Sequence, residues 1–176
     1  MTEQTTLAPV IRKAGEGEKR WFFGGGVFTW KLSSANEDIG LWEVDMVEGK
    51  WTPIHTHPVS ESMWVLDGQI QYRINDDEHE LGAGDFVMVP AGVPHAFIVK
   101  SATAKVLGIQ PTCECEPFYR GASEPFEGSA CVVDFPRLAQ SAQENGGIEI
   151  VGRPRSSKHP SAAIRAGGRA LPRLLG

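Results

Sequence analysis

The sequence predicts an all-β protein, a small antiparallel barrel or sandwich, and three observations carry that reading. Twenty glycines and twelve prolines among 176 residues supply many turns. Short runs alternate apolar and polar residues, the period of a strand with one wet face. Turn signals separate those runs at intervals of roughly ten residues, as in sandwiches and barrels.

Each element follows from local pattern. Residues 1–20 are polar, contain "GEGEKR" and read as a loose arm. "WFFGGGVFTWKLSS" then opens one domain, residues 21–151, with a strand over Val27–Leu32 that turns Phe28, Trp30 and Leu32 to one face. In "IGLWEVDMVEG", Trp42, Val44 and Met46 oppose Leu41, Glu43, Asp45 and Val47, and Gly49 ends the strand. "SMWVLDGQIQYRIND" reads as a hairpin around Asp67-Gly68, a preferred turn pair. "NDDEHELGAGD" holds a turn, a short strand and a second turn, and "FVMVPAG", "HAFIVKS" and "AKVLGIQP" read as three further strands. Cys113 to Cys131 is aromatic and turn-rich without a period. One short C-terminal helix is predicted in "DFPRLAQSAQENGG", capped by Asp134, with Pro136 in its first turn and Asn145-Gly146 at its end.

Composition narrows the class. A hydrophobic share of 41% and a charged share of 22% suit a soluble globular chain. No apolar run approaches the roughly 20 residues of a membrane span. No basic-then-apolar leader is visible in "MTEQTTLAPV", so a cytoplasmic protein is expected. Six of the 17 basic residues follow Glu149, leaving 11 against all 22 acids before them. That acidic body would repel nucleic acid. Residues 152–176 form a basic tail rich in Pro, Ser and Gly, expected to be disordered and solvated, with His159 exposed in it. Cys113, Cys115 and Cys131 are an odd set, expected as reduced thiols. His79, in "DDEHE", is expected at the surface.

The chemistry sits in "GKWTPIHTHPVSESMWVLDG", Gly49–Gly68. Side chains on a strand repeat every two residues, so His55 and His57 share a side, and Glu61 keeps that parity if the intervening residues only bend the chain. Two imidazoles and a carboxylate suit a divalent Fe, Mn, Co, Ni, Cu or Zn ion. A further ligand is available in "GDFVMVPAGVPHAFIV", where His95 leads a strand that an antiparallel register can set opposite the histidine pair. Trp51, Met63 and Phe97 share parity with these residues and are the expected lining of a substrate pocket. No G-x-S-x-G elbow, dinucleotide fingerprint or P-loop is present.

Two stretches carry a family resemblance. Gly49, five residues, His55-Thr56-His57, three residues, Glu61, six residues and Gly68 resemble the first motif of the cupin superfamily in full. Gly84, five residues, Pro90-Ala91-Gly92, two residues and His95 resemble the second, which departs at Val99, where an Asn is common. The likeness spans about residues 40–110. The lead-in at 21–34 and "CEPFYRGASEP" at 115–125 resemble the single-domain quercetin-dioxygenase-like branch more loosely. The resemblance implies a jelly-roll barrel around one divalent transition metal held by His55, His57, Glu61 and His95, and a homodimer. It also implies a dioxygenase using O2 on a small enolic or phenolic, flavonol-like compound, with Glu61 as both ligand and catalytic base. A non-oxidative isomerase or cyclase and a non-catalytic small-molecule-binding module are the alternatives.

Overall fold

A computed structural model describes residues 8–36 and 38–152. The basic tail from 153 on, His159 with it, and residues 1–7 of the expected arm lie outside the described residues. Strands β1 (Glu18–Phe22), β2 (Val27–Leu32), β3 (Gly40–Val47), β4 (Ile54–Thr56), β5 (Glu61–Asp67) and β6 (Gln69–Ile74) come first. β7 (Asp77–Gly82), β8 (Phe86–Val89), β9 (His95–Val99) and β10 (Thr103–Gln110) follow. Helix α1 (Glu116–Gly121), β11 (Ser123–Pro125), helix α2 (Phe135–Asn145) and β12 (Glu149–Gly152) complete the order.

The strands form two antiparallel sheets, ordered β11-β1-β2-β3-β10-β5-β8 and β12-β4-β9-β6-β7. This is a jelly-roll arrangement in which the sheets are not hydrogen-bonded into one closed barrel. The predicted alternation of β3 holds, with Trp42, Val44 and Met46 buried and Val47 exposed. Trp42 lies in an aromatic cluster with Phe28, Trp30 and Tyr119, at centroid distances of 5.0–6.1 Å. His79 is exposed on β7.

Three local expectations are corrected. Asp67-Gly68 is not a hairpin turn, because β5 belongs to the seven-stranded sheet and β6 to the five-stranded one. The pair is a crossover: Gly68 adopts φ 80°, and a Cβ there would stand 2.3 Å from the carbonyl oxygen of Thr103. The tight hairpin lies at Asn75-Asp76, where Ile74 pairs with Asp77 and Asn75 takes φ 53°.

The second correction is an additional helix, α1, inside the stretch without a period. Six residues are too few to show one. Tertiary contact holds it: Phe118 and Tyr119 are buried, and Arg120 reaches Glu18 of β1 at 3.0 Å, while Arg120 and Glu116 pair within the helix at 2.6 Å. The predicted α2 is present, with Asp134 accepting from the Arg137 amide at 3.1 Å and Pro in its first turn. Ser141 of α2 donates to the Phe118 carbonyl at 2.8 Å, which ties the two helices together.

The third concerns the arm. β1 begins at Glu18, so Glu18, Lys19 and Arg20 are already paired with β2.

Candidate metal centre

β4 and β9 meet at one residue pair, His55 opposite His95. His57 follows β4 directly and Glu61 opens β5 on the facing sheet. The structure therefore brings together the four residues singled out by sequence. All four are buried, and one ligand atom from each lies within 4.8 Å of the others.

Backbone carbonyls orient the three imidazoles. Each Nδ1 meets one: His55 with Pro53 at 2.7 Å, His57 with Gly147 at 3.0 Å, and His95 with Val93 at 2.9 Å. A ring that donates from Nδ1 presents Nε2 as its lone pair. His57 Nε2 is buried without a hydrogen-bond partner among the described residues. Gly147 can serve His57 because it packs against Cys115, where a Cβ would stand 2.8 Å from the Cys115 Cα.

Electrostatics agree with that geometry. Burial pushes the His55 pKa well below the ordinary imidazole value, aided by repulsion from His95 and His57. Burial lowers His57 as well, against the pull of Glu61. Burial would raise the Glu61 pKa, yet His57, the His95 hydrogen bond and the His95 and His55 charges outweigh it, so the carboxyl stays well below the usual range. For His95, burial is outweighed by its 3.2 Å hydrogen bond to Glu61 Oε2 and the Glu61 charge, which raise its pKa. That bond needs a proton on Nε2, and metal binding would release it. The 3.7 Å approach of His57 Nε2 to Glu61 is no hydrogen bond, and a neutral imidazole makes it no ion pair.

The residues fit a divalent transition metal. The set offers three imidazole nitrogens and one carboxylate, and one nitrogen is a buried orphan. Ligands each about 2.1 Å from a common ion lie at most about 4.2 Å apart. The four atoms need only a small inward adjustment to share one ion.

Two features escaped the sequence reading. Tyr119, on α1, donates to Glu61 Oε1 at 3.2 Å and receives Gln110 Nε2 at 3.3 Å. The neighbouring aromatic motif was legible, but no spacing ties it to Glu61. The other is Lys50, which shares a mostly apolar cavity with His55, Glu61, Met63 and Phe97.

Trp51, expected in the lining, is elsewhere: its ring stacks on Phe135 of α2 at 4.6 Å. The reason is a bulge. Trp51 pairs with Ile98 and His55 with His95, so four steps on one strand answer three on the other. The extra residue, within Thr52–Ile54, reverses the alternation. Trp51 then faces outward while His55 faces in. Cys113 and Cys115 are poor thiolate donors, because burial and then nearby acids raise their pKa values to about 11 and 12.

Residues 42–109 match the sequence family described as Cupin domain. The fold is also that of KdgF from Halomonas sp., with a TM-score of 0.53 at 15% identity over 59% of this chain and 94% of that one. An RmlC-like cupin from Shewanella frigidimarina aligns at a TM-score of 0.52 and 18% identity, over 61% of this chain and 96% of that one. Residues 42–109 thus form a cupin domain. Among curated relatives, quercetin 2,3-dioxygenase of Bacillus subtilis (strain 168) is 26% identical over 123 residues, 68% of this chain and 36% of that protein. Dimethylsulfoniopropionate lyase DddQ of Ruegeria pomeroyi is 33% identical over 63 residues, 35% of this chain and 31% of that protein. The chain thus spans about a third of the length of the curated relatives it matches.

Proposed function

We propose that this chain is a metal-dependent dioxygenase acting on a small enolic or phenolic compound. The observation that carries the reading is a buried three-histidine, one-glutamate cluster opening, at His55 and Glu61, onto a mostly apolar cavity. The 123-residue likeness to a quercetin 2,3-dioxygenase supports it. His55, His57, Glu61 and His95 would hold one divalent transition metal, which supplies Lewis acidity toward a substrate oxygen and, where redox-active, a place for dioxygen.

The chain's own residues do the rest. Met63 and Phe97 enclose a flat apolar ring and exclude water from it. Glu61, held ionised by the imidazoles, accepts the substrate's hydroxyl proton on its carboxylate. Tyr119 fixes the rotamer of Glu61 through Oε1, which leaves Oε2 toward the histidines. Oxygen uptake by protein loaded with each candidate metal, across flavonols, catechols and enolic diketones, tests the reading. Uptake with at least one pair supports it, and none across the panel refutes it. The 63-residue match to a lyase favours a second reading, an oxygen-independent reaction at the same cluster, and turnover that persists without oxygen selects it.

A homodimer is part of the proposal. Trp64 and Leu66 of β5 and Phe86 and Met88 of β8 are exposed together on the outer face of the seven-stranded sheet, at its edge. Sedimentation velocity should show a dimer that Trp64→Glu dissociates; a monomeric wild type refutes it.

A further inference from the structure

The cavity beside the cluster is lined by a lysine, Lys50, that has no ion-pair partner among the described residues. Gly49 and Lys50 together face Val99: the Gly49 amide donates to the Val99 carbonyl at 3.0 Å, and the Val99 amide to the Lys50 carbonyl at 2.8 Å. Gly49 takes φ 78°, the geometry of a glycine bulge, and turns the Lys50 side chain inward with Val99. Lys50 is only 9% exposed. Its Nζ stands 4.4 Å from the centre of the Phe97 ring and 6.0 Å from that of Phe22. Among the described residues the ammonium makes no hydrogen bond and no ion pair. Among the described residues it is also the only Lys or Arg lining the cavity.

A lysine kept merely for packing sends its ammonium to water or to a carboxylate. Here the ammonium is held inside among ring faces, which compensate a buried charge only in part. Burial accordingly pushes its pKa down to about 7, against the pull of the Glu61 charge. A charge that faces a cavity beside a metal-ligand set, with no ion-pair partner among the described residues, is the mark of a group whose partner arrives with the ligand.

We infer that Lys50 is the anion-binding residue of this cavity and takes an acidic oxygen (carboxylate, enolate or phenolate) of a flat apolar ligand. The assignment rests on the reading of this cavity as the substrate site. It narrows the substrate class to aromatic or enolic acids over their neutral analogues.

The test is binding, measured by titration calorimetry at about pH 6, where Lys50 is protonated. The probes are 2-naphthoate and 2-naphthamide, matched in shape and differing in charge. Wild-type protein should bind the naphthoate about tenfold more tightly, the scale of one charge-assisted hydrogen bond. Lys50→Met and Lys50→Gln should both bring the two probes within about threefold of each other, and Lys50→Arg should keep the preference for the acid. Equal binding by the wild type, no binding of either probe, or a preference that survives in the neutral variants overturns the assignment. Repeating the titrations on metal-stripped protein separates the two proposals. A charge preference that persists there, with no oxygen uptake by loaded protein, keeps the Lys50 assignment and removes the dioxygenase. Oxygen uptake with no charge preference does the reverse.

Discussion

Replacing Lys50 with methionine should stabilise the metal-free protein. The ordinary lysine pKa of 10.5 falls to about 7 at this site, chiefly through burial. The folded value lies below the unfolded one, so the folded state disfavours the proton. Above pH 10.5 the side chain is neutral in both states and costs nothing. As pH falls the unfolded chain binds the proton first, stability drops, and the full cost is reached below about pH 7. The gap between 10.5 and about 7 corresponds to about 5 kcal/mol. Methionine keeps the length and apolar contacts of the stem, so little packing is lost. His55, Glu61 and Tyr119 are also shifted in the folded state, but wild type and variant share them, so their contributions cancel in the difference between the two proteins. Urea unfolding of wild type and Lys50→Met, at intervals from pH 6 to pH 10.5, should show a gap of about 3–5 kcal/mol at the acid end. That gap should close toward the alkaline end. A variant less stable than wild type at pH 6, or a gap that ignores pH, would refute the reasoning.

The remaining predictions concern the cluster and its frame. His57→Ala should lower metal content per chain in elemental analysis of purified protein, and unchanged content would undo the assignment of the cluster. Tyr119→Phe removes the donor to Glu61 Oε1 and leaves Gln110 short of a partner. It should cost about 1.5–3 kcal/mol in urea unfolding, the range for hydrogen bonds to charged groups; a loss under about 0.5 kcal/mol speaks against that bond. Gly68→Ala forces an L-residue to φ 80° with its Cβ against the Thr103 carbonyl. The same assay should show a loss of about 2–4 kcal/mol, strain and overpacking together, whereas an unchanged midpoint would mean the crossover tolerates a side chain.

The ligand set was legible because a metal needs fixed residue types at fixed spacing, and an HxH pair on a strand states its own geometry. Strand existence was legible for the same reason: β3 buries every second residue, and β6 buries Ile70 and Tyr72 between more exposed polar neighbours. Partnership was not. Asp67-Gly68 is favourable in a hairpin, but the same positive φ lets a chain leave one sheet for the other, and only the pairing of β5 with β10 and β8 decides between them. Helix α1 was hidden because much of its stability comes from burial of Phe118 and Tyr119 and from the ion pair of Arg120 with Glu18, which are contacts to distant segments.

The pocket shows the same limit at the scale of one residue. Parity puts Trp51 with the ligands only if Trp51 and His55 belong to one regular ladder. Between them runs Thr52-Pro53-Ile54, and proline supplies no amide to such a ladder. Thr52 instead accepts the Phe97 amide on its hydroxyl at 3.0 Å, and the strand restarts one residue out of phase. This single insertion lets Lys50 and His55, an odd number of residues apart, point into the same cavity. Without it, inward histidines would leave the lysine in water, and an inward lysine would turn the histidines away. The proline that looks like a break in the strand is therefore what permits a cation and a metal-ligand pair on one side of one chain segment.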